Sequence, residues 1–163
     1  MPKVVIVYDS KTGNTELMAN AVVEGANTVK GTKTELRKIG EKFPISTLKD
    51  ADAIVIGSPT LYGNITSDVQ EFLANLGNLQ QSKRIILKGK KGAAFGSYGW
   101  DGGWNTERIE DELKKLGVQL VAPSVSAADQ GGVMQMKIHK DDLAKCRELG
   151  TIVAKAVTGK KSG

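Results

Sequence analysis

The chain has 163 residues, 40% of them hydrophobic, and a formal net charge of +5, which fits one domain with a full apolar core. A single histidine and a single cysteine exclude an internal disulfide and any metal site that one chain would build from several imidazoles or thiolates. No apolar run approaches the ~20 residues that a membrane-spanning helix needs, and no nucleic-acid-binding module is visible, so we expect a cytoplasmic protein that binds neither membrane nor nucleic acid.

Short apolar strands alternate with amphipathic helices along the chain. Predicted strands cover residues 3–8, 34–39, 53–57, 92–97 and 118–125. A helix is predicted after the first strand and its loop, with Leu17 and Met18 on the apolar face. A second helix starts at Ser67, with Gln70 as its capping-box partner, and ends near Gly77. A third is capped by Asn105 or Thr106, and the last starts at Asp141. The alternation predicts an α/β fold, a five-stranded parallel sheet with helices on both faces. We expect residues 1–158 to form one domain and residues 159–163 a flexible tail.

The most informative loop follows the first strand and reads Ser10-Lys11-Thr12-Gly13-Asn14-Thr15. A strand-to-helix turn points unpaired backbone N–H groups outward at the positive end of the helix dipole, so this turn can hold a phosphate. Two other nucleotide loops are excluded, because the chain lacks both the G-x-x-x-x-G-K-[ST] and the G-x-G-x-x-G patterns. Any one of these residues, taken alone, would be explained by an ordinary helix cap. The whole run, directly after a buried strand, favours a phosphate site instead.

Two later loops hold two of the three tyrosines and both tryptophans. They read Ser58-Pro59-Thr60-Leu61-Tyr62-Gly63-Asn64 and Phe95-Gly96-Ser97-Tyr98-Gly99-Trp100-Asp101-Gly102-Gly103-Trp104. Ligands of such sheets bind beyond the carboxyl ends of the strands, where these loops meet the first one. Glycine lets the backbone approach a ligand closely, and aromatic faces suit a flat ring, so the three loops together predict flavin mononucleotide (FMN). The aromatic residues would also suit a protein–protein contact.

The first loop resembles the S/T-x-T-G-N-T phosphate loop of the flavodoxin family, and the resemblance covers nearly the whole chain. Ser58-Pro59-Thr60 and the string from Phe95 to Trp100 look like the flavodoxin domain of A-type flavoproteins (flavodiiron proteins). Tyr62-Gly63-Asn64 looks like a segment of the flavodoxin-like quinone reductases. The resemblance implies a three-layer sandwich with strand order 2-1-3-4-5. It does not imply a di-iron site, because the chain has only one histidine.

By this resemblance we expect an electron-transfer protein that binds FMN non-covalently and shuttles electrons between redox partners. The expected cofactor-binding residues are Ser10, Lys11, Thr12, Gly13, Asn14, Thr15, Ser58, Pro59, Thr60, Leu61, Tyr62, Gly63, Asn64, Ser97, Tyr98, Gly99, Trp100 and Gly103. The resemblance also implies that the carbonyl of the Tyr62–Gly63 peptide turns toward the flavin ring on reduction. The net positive charge favours acidic redox partners, and we expect a monomer or a homodimer.

Two other classes stay open. An NAD(P)H-dependent FMN quinone reductase is the alternative, and rapid bleaching of the bound flavin by NAD(P)H would favour it. A non-redox binding module that has kept the fold is the third class, and failure to bind FMN would favour that. The complete set of donors in the first loop favours a flavin-binding protein over the third class.

Overall fold

The computed structural model describes residues 1–99, 102, 104–129 and 138–159 of the chain. Its strands are β1 (Lys3–Tyr8), β2 (Lys33–Lys38), β3 (Ala53–Leu61), β4 (Asn64–Ile65), β5 (Lys91–Tyr98), β6 (Gln119–Leu120) and β7 (Val125–Ala128). Its helices are α1 (Asn14–Asn27), α2 (Ser46–Lys49), α3 (Ser67–Gln81), α4 (Asn105–Lys115) and α5 (Lys140–Thr158). Within these ranges no helix combines the length and apolar character that crossing a membrane requires.

The strands form one sheet in the order β2-β1-β3-β5-β6, with β7 also beside β5 and β4 beside β3. These strands pair in parallel, except for the short antiparallel hairpin of β3 and β4. The predicted α/β fold, with its order 2-1-3-4-5 and helices on both faces, is confirmed. The strand count is larger than five because β4 was not predicted and because the fifth strand is divided in two.

The fifth strand breaks between β6 and β7, where a continuous strand over 118–125 was predicted. Six residue steps separate Gln119 from Val125, whereas only four separate their partners Lys91 and Phe95 on β5. The extra residues cannot stay in register with β5, and Pro123 has no N–H to donate to the ladder. The edge therefore pairs as two short segments, and β7 continues four residues toward the carboxyl end of the sheet.

Three further details, in β3 and α3, differ from the sequence prediction. Strand β3 continues through residues 58–61, which were predicted to be a loop, because Ser58 and Pro59 pair in parallel with β5. Helix α3 takes Thr66 rather than Ser67 as its N-cap, since the Thr66 hydroxyl accepts a hydrogen bond from the N–H of Val69. The same helix continues through Gly77 to Gln81.

The apolar core has two layers, one on each side of the sheet. One layer joins β1 and β5 to α1 and α5, and the other joins β1 and β3 to α3 and α4. Strand β1 contributes to both, because alternate residues face opposite sides of a sheet and Val4 to Val7 are fully buried. Cys146 and Met18 lie in the first layer as predicted, whereas Leu17 is 41% exposed and lies outside it.

Candidate functional site

A cleft of about 170 Å³ opens at the carboxyl edge of β1, β3 and β5. The chain turns in opposite directions from β1 to its neighbours β2 and β3, and ligands of such sheets bind at this switch point. The cleft is lined by Lys11, Thr12, Asn14, Pro59, Thr60, Leu61, Thr66, Ser97, Tyr98, Gly99 and Asp129. All three of the predicted loops therefore contribute to one site.

The first loop ends at Gly13, which serves as the N-cap of α1 with a φ of 98° and offers no capping side chain. Its own N–H donates to the hydroxyl of Ser10 at 3.1 Å, which closes the turn. A Cβ built on Gly13 would meet no atom within 4 Å, so the backbone here faces open space. The start of α1 thus presents its positive end to the cleft without an internal acceptor from Gly13.

Asn14 stands at the first position of α1 and lines the cleft. The residue is only 4% exposed, yet its Oδ1 has no hydrogen-bond partner. Leaving a buried acceptor unpaired costs about 1–3 kcal/mol. A ligand that brings hydrogen-bonding groups into the cleft would remove this cost.

Hydroxyl groups connect the three loops beneath the cleft. Thr15 and Ser97 are both buried and share a hydrogen bond of 2.8 Å between their side-chain oxygens. The hydroxyl of Thr60 donates to the carbonyl of Ser97 at 3.0 Å. The first loop, β3 and β5 are therefore held together by polar contacts at the point where the cleft opens.

The side chain of Asn105, at the start of α4, bridges the ends of β3 and β5. Its side chain is fully buried, and its Nδ2 donates to the carbonyl of Ser58 at 2.7 Å and to that of Ser97 at 3.4 Å. Gly96 leaves the space for this amide, because a Cβ there would lie 2.1 Å from Nδ2. The sequence prediction of Asn105 or Thr106 as the cap of this helix is wrong, because Trp104 holds the N-cap position and Asn105 is the first residue of α4. No local pattern reveals the bridge from Asn105 to residue 58.

Ser58 lies under the cleft rather than on its wall. Its side chain is fully buried, and its Oγ donates to the carbonyl of Pro59 and accepts from the N–H of Thr66. Thr66 and Asp129 line the cleft and were not predicted as site residues. The N–H of Asp129 donates to the carbonyl of Tyr98 at 2.8 Å, which brings the end of β7 to the cleft. Trp100 and Gly103 lie outside the described residues.

The second loop is a tight hairpin whose tip is Tyr62-Gly63. Residues Thr60 and Leu61 pair with Ile65 and Asn64, so two residues make the turn. Both have positive φ, 51° at Tyr62 and 80° at Gly63, as a primed hairpin turn requires. Tyr62 is 85% exposed and, unlike its neighbour Leu61, is not part of the cleft lining. The Asn64 side chain accepts a hydrogen bond from the N–H of Ile65.

Replacing Gly63 by alanine should strain this turn, because an L-residue with positive φ costs about 1 kcal/mol. We expect the gap between the two one-electron reduction potentials of FMN-loaded protein to narrow, because alanine would hinder the turn of the Tyr62–Gly63 peptide that the flavodoxin resemblance implies. Spectroelectrochemistry measures the gap. Gly40→Ala is the matched control, because Gly40 also has a positive φ, of 104°, and open space around it. An unchanged gap in Gly63→Ala would contradict a role for this peptide.

Acidic side chains stand in the first turns of the long helices, at the edge of the sheet where the cleft opens. Each long helix begins at this edge with acid in its first turn: Glu16 in α1, Asp68 in α3, Glu107 in α4, and Asp141 and Asp142 in α5. Exposed cations lie at the opposite edge, in the connection before β5 and in the last turn of α4: Lys83, Arg84, Lys88, Lys114 and Lys115. These five cations therefore lie away from the cleft, whereas Lys11 lines the cleft and Lys140 opens α5 at the same edge.

Comparisons with known proteins agree with this geometry. The sequence model of the family described as flavodoxin matches residues 6–150. The chain is 34% identical over 155 residues to a nitric oxide reductase of Moorella thermoacetica, with 93% of this chain and 35% of that protein covered. It is 33% identical over 114 residues to an NAD(P)H dehydrogenase (quinone) of Acidithiobacillus ferrooxidans, with coverage of 58% and 56%. The chain thus spans about a third to a half of these two relatives.

Among solved structures, a flavodoxin from the domain Archaea superposes with a TM-score of 0.78 at 28% identity. The match covers 96% of this chain and 99% of that one. The likeness therefore extends over a whole flavodoxin as well as over one part of a larger enzyme.

Proposed function

The chain belongs to the flavodoxin family, and we propose that it binds FMN in the cleft and carries single electrons between redox proteins. The observation that carries the proposal is the start of α1, where the Oδ1 of Asn14 is buried without a partner and Gly13 faces open space. A phosphate with an attached hydroxylated chain offers both acceptors and donors to such a turn. The residues present therefore fit FMN.

The first loop would hold the phosphate through backbone N–H groups and the side chains of Ser10, Thr12 and Asn14. The hydroxyl of Thr15 is already paired with Ser97, so we assign it the role of fixing the loop against β5. Ser58 would act in the same indirect way, because its hydroxyl is engaged beneath the cleft.

The ring would lie between the two later loops. Pro59, Thr60 and Leu61 would form one wall, and Tyr98 with Gly99 the other, since all five line the cleft. No atom lies within 4 Å of a Cβ built on Gly99, so the backbone there leaves room for a flat group. When bound, FMN supplies the redox chemistry, and the protein supplies orientation and electrostatics.

Acidic first turns around the cleft favour a redox partner whose contact face is basic. The net charge alone favours an acidic partner, but complementary charge acts locally because charges separated by more than about 8–10 Å are largely screened. An electron carrier must bring its flavin close to the partner, so the cleft edge decides the contact. Exposed Tyr62 and Leu61 would give that contact its apolar part.

A second candidate is an NAD(P)H-dependent FMN quinone reductase. The observation that favours it is a 30% identity over 158 residues to an NAD(P)H dehydrogenase (quinone) of Chromohalobacter salexigens, which covers 80% of this chain and 78% of that protein. The two candidates share the cofactor and differ in the electron donor that reaches it.

Anaerobic reduction separates the two candidates. We expect FMN-loaded protein to take up electrons from dithionite in two resolved steps and to be bleached by NADH or NADPH only over hours. Absorbance at the flavin band follows the stepwise reduction by dithionite and the bleaching by NADH or NADPH, with stopped-flow mixing to detect any bleaching within a second. Bleaching by NADH or NADPH within a second would contradict the carrier and establish the reductase.

A further inference from the structure

Lys11 is held by two carboxylates at the edge of the phosphate loop. Its Nζ lies 3.0 Å from Oδ2 of Asp68 and 3.3 Å from Oδ2 of Asp9. The hydrogen bond that Nζ donates to the Asp68 carboxylate, followed by the charge of Asp9, raises the pKa of the Lys11 ammonium. The ammonium is therefore charged, and the loop is tied to the first turn of α3 across 57 residues of sequence.

The two carboxylates differ in how firmly they are fixed. Asp9 is 3% exposed, and its Oδ2 also accepts a hydrogen bond of 2.6 Å from the hydroxyl of Thr66, so it belongs to the framework of the site. The side chain of Asp68 is 52% exposed and stands at the surface. Asp68 is thus the partner that can be changed without disturbing the buried structure.

The balance of charge in this cluster opposes a phosphate. Two carboxylates face one ammonium, and Lys11 is the sole cation among the described residues that line the cleft. A phosphate monoester brings about −1.5 to −2 charges at neutral pH. It would compete with Asp68 for the ammonium and be repelled by the remaining carboxylate charge.

We propose that Asp68 determines how strongly the site discriminates between a flavin with a phosphate and a flavin without one, by holding the Lys11 ammonium in an ion pair. This inference rests on the proposed binding of FMN. The ion pair lowers the affinity for FMN and leaves the affinity for riboflavin unchanged, because riboflavin has no charged group to meet Lys11.

The test compares dissociation constants for FMN and for riboflavin, measured by quenching of flavin fluorescence. We expect Asp68→Asn to bind FMN about two- to fivefold more tightly than the unaltered chain, as the strength of an exposed ion pair suggests. Riboflavin binding should stay the same. Glu71→Gln is the matched control, because Glu71 lies on the same helix and is exposed. That variant should change neither constant by as much as twofold.

A second substitution shows that the effect passes through the ammonium. Lys11→Met should weaken FMN binding. In the Lys11→Met background, Asp68→Asn should raise the FMN affinity by a smaller factor than it does in the unaltered chain. Equal gains in both backgrounds would overturn the proposal, as would equal tightening of FMN and riboflavin by Asp68→Asn. If the unaltered chain binds neither flavin, the proposed function itself fails, which is a different result from binding without the predicted discrimination.

Discussion

Replacing Asn14 by alanine is expected to weaken FMN binding about 10- to 100-fold, the loss that goes with one hydrogen bond to a charged group. Riboflavin binding should fall much less, because the hydrogen bond that Nδ2 would donate to the phosphate is absent there, whereas Oδ1 can accept from a side-chain hydroxyl of either flavin. The apoprotein should be no less stable than the unaltered chain, since alanine removes a buried oxygen that has no partner. Weaker FMN binding without a loss of apoprotein stability is characteristic of a ligand-binding residue.

Fluorescence titration and urea denaturation of the apoprotein measure the two quantities. Asn75→Ala is the matched control, because Asn75 is an exposed asparagine in the middle of α3. It reports the gain of about 0.6 kcal/mol that alanine brings to a helix and should leave both flavin affinities alone. A clear loss of apoprotein stability in Asn14→Ala with unchanged FMN affinity would make Asn14 a structural residue.

Replacing Gly150 by alanine should lower the free energy of unfolding by about 2–4 kcal/mol. Helices α1 and α5 cross in close backbone contact, and a Cβ on Gly150 would lie 2.0 Å from the carbonyl oxygen of Val22. The reciprocal contact is as tight, since a Cβ on Gly25 would lie 1.8 Å from the carbonyl oxygen of Arg147. A carbonyl within a helix cannot move aside, so the two helices must separate.

Gly77→Ala on α3 is the control for this prediction. A Cβ there would meet only Leu116, at 3.6 Å, which is an ordinary contact. Alanine should therefore stabilise the chain by about 0.5–1 kcal/mol through its helix propensity. If Gly150→Ala unfolds at the same urea concentration as the unaltered chain, the close crossing of α1 and α5 is wrong.

Local patterns predicted most of the strands and helices. Strand β1 covers the predicted residues, because an uninterrupted apolar run after Pro2 is typical of a parallel strand that is buried on both faces. The glycine and hydroxyl residues of the first loop predict the start of a helix, and α1 begins at Asn14 with Gly13 as its N-cap. The positions of β1 and of the start of α1 depend on residues that are adjacent in sequence, so they can be predicted without knowing any long-range contact.

Long-range contacts account for what the sequence did not reveal. The pairing of Lys11 with Asp68 and the bridge from Asn105 to Ser58 join residues that are 57 and 47 positions apart. Asp129 reaches the cleft only because the break before β7 shifts the register of the edge strand. Thr66 replaces Ser67 as a cap because its hydroxyl also donates to Asp9. A single sequence carries no local signal for any of these.

The most direct test of this account is the titration of the purified apoprotein with FMN, followed by flavin fluorescence and by the visible spectrum. We predict saturation at one FMN per chain, a submicromolar dissociation constant as a complex held by several phosphate contacts implies, and an affinity for riboflavin that is at least tenfold lower. FMN fluorescence that stays unquenched at micromolar protein, with a free-flavin spectrum, would contradict the central claim that this cleft is a flavin site.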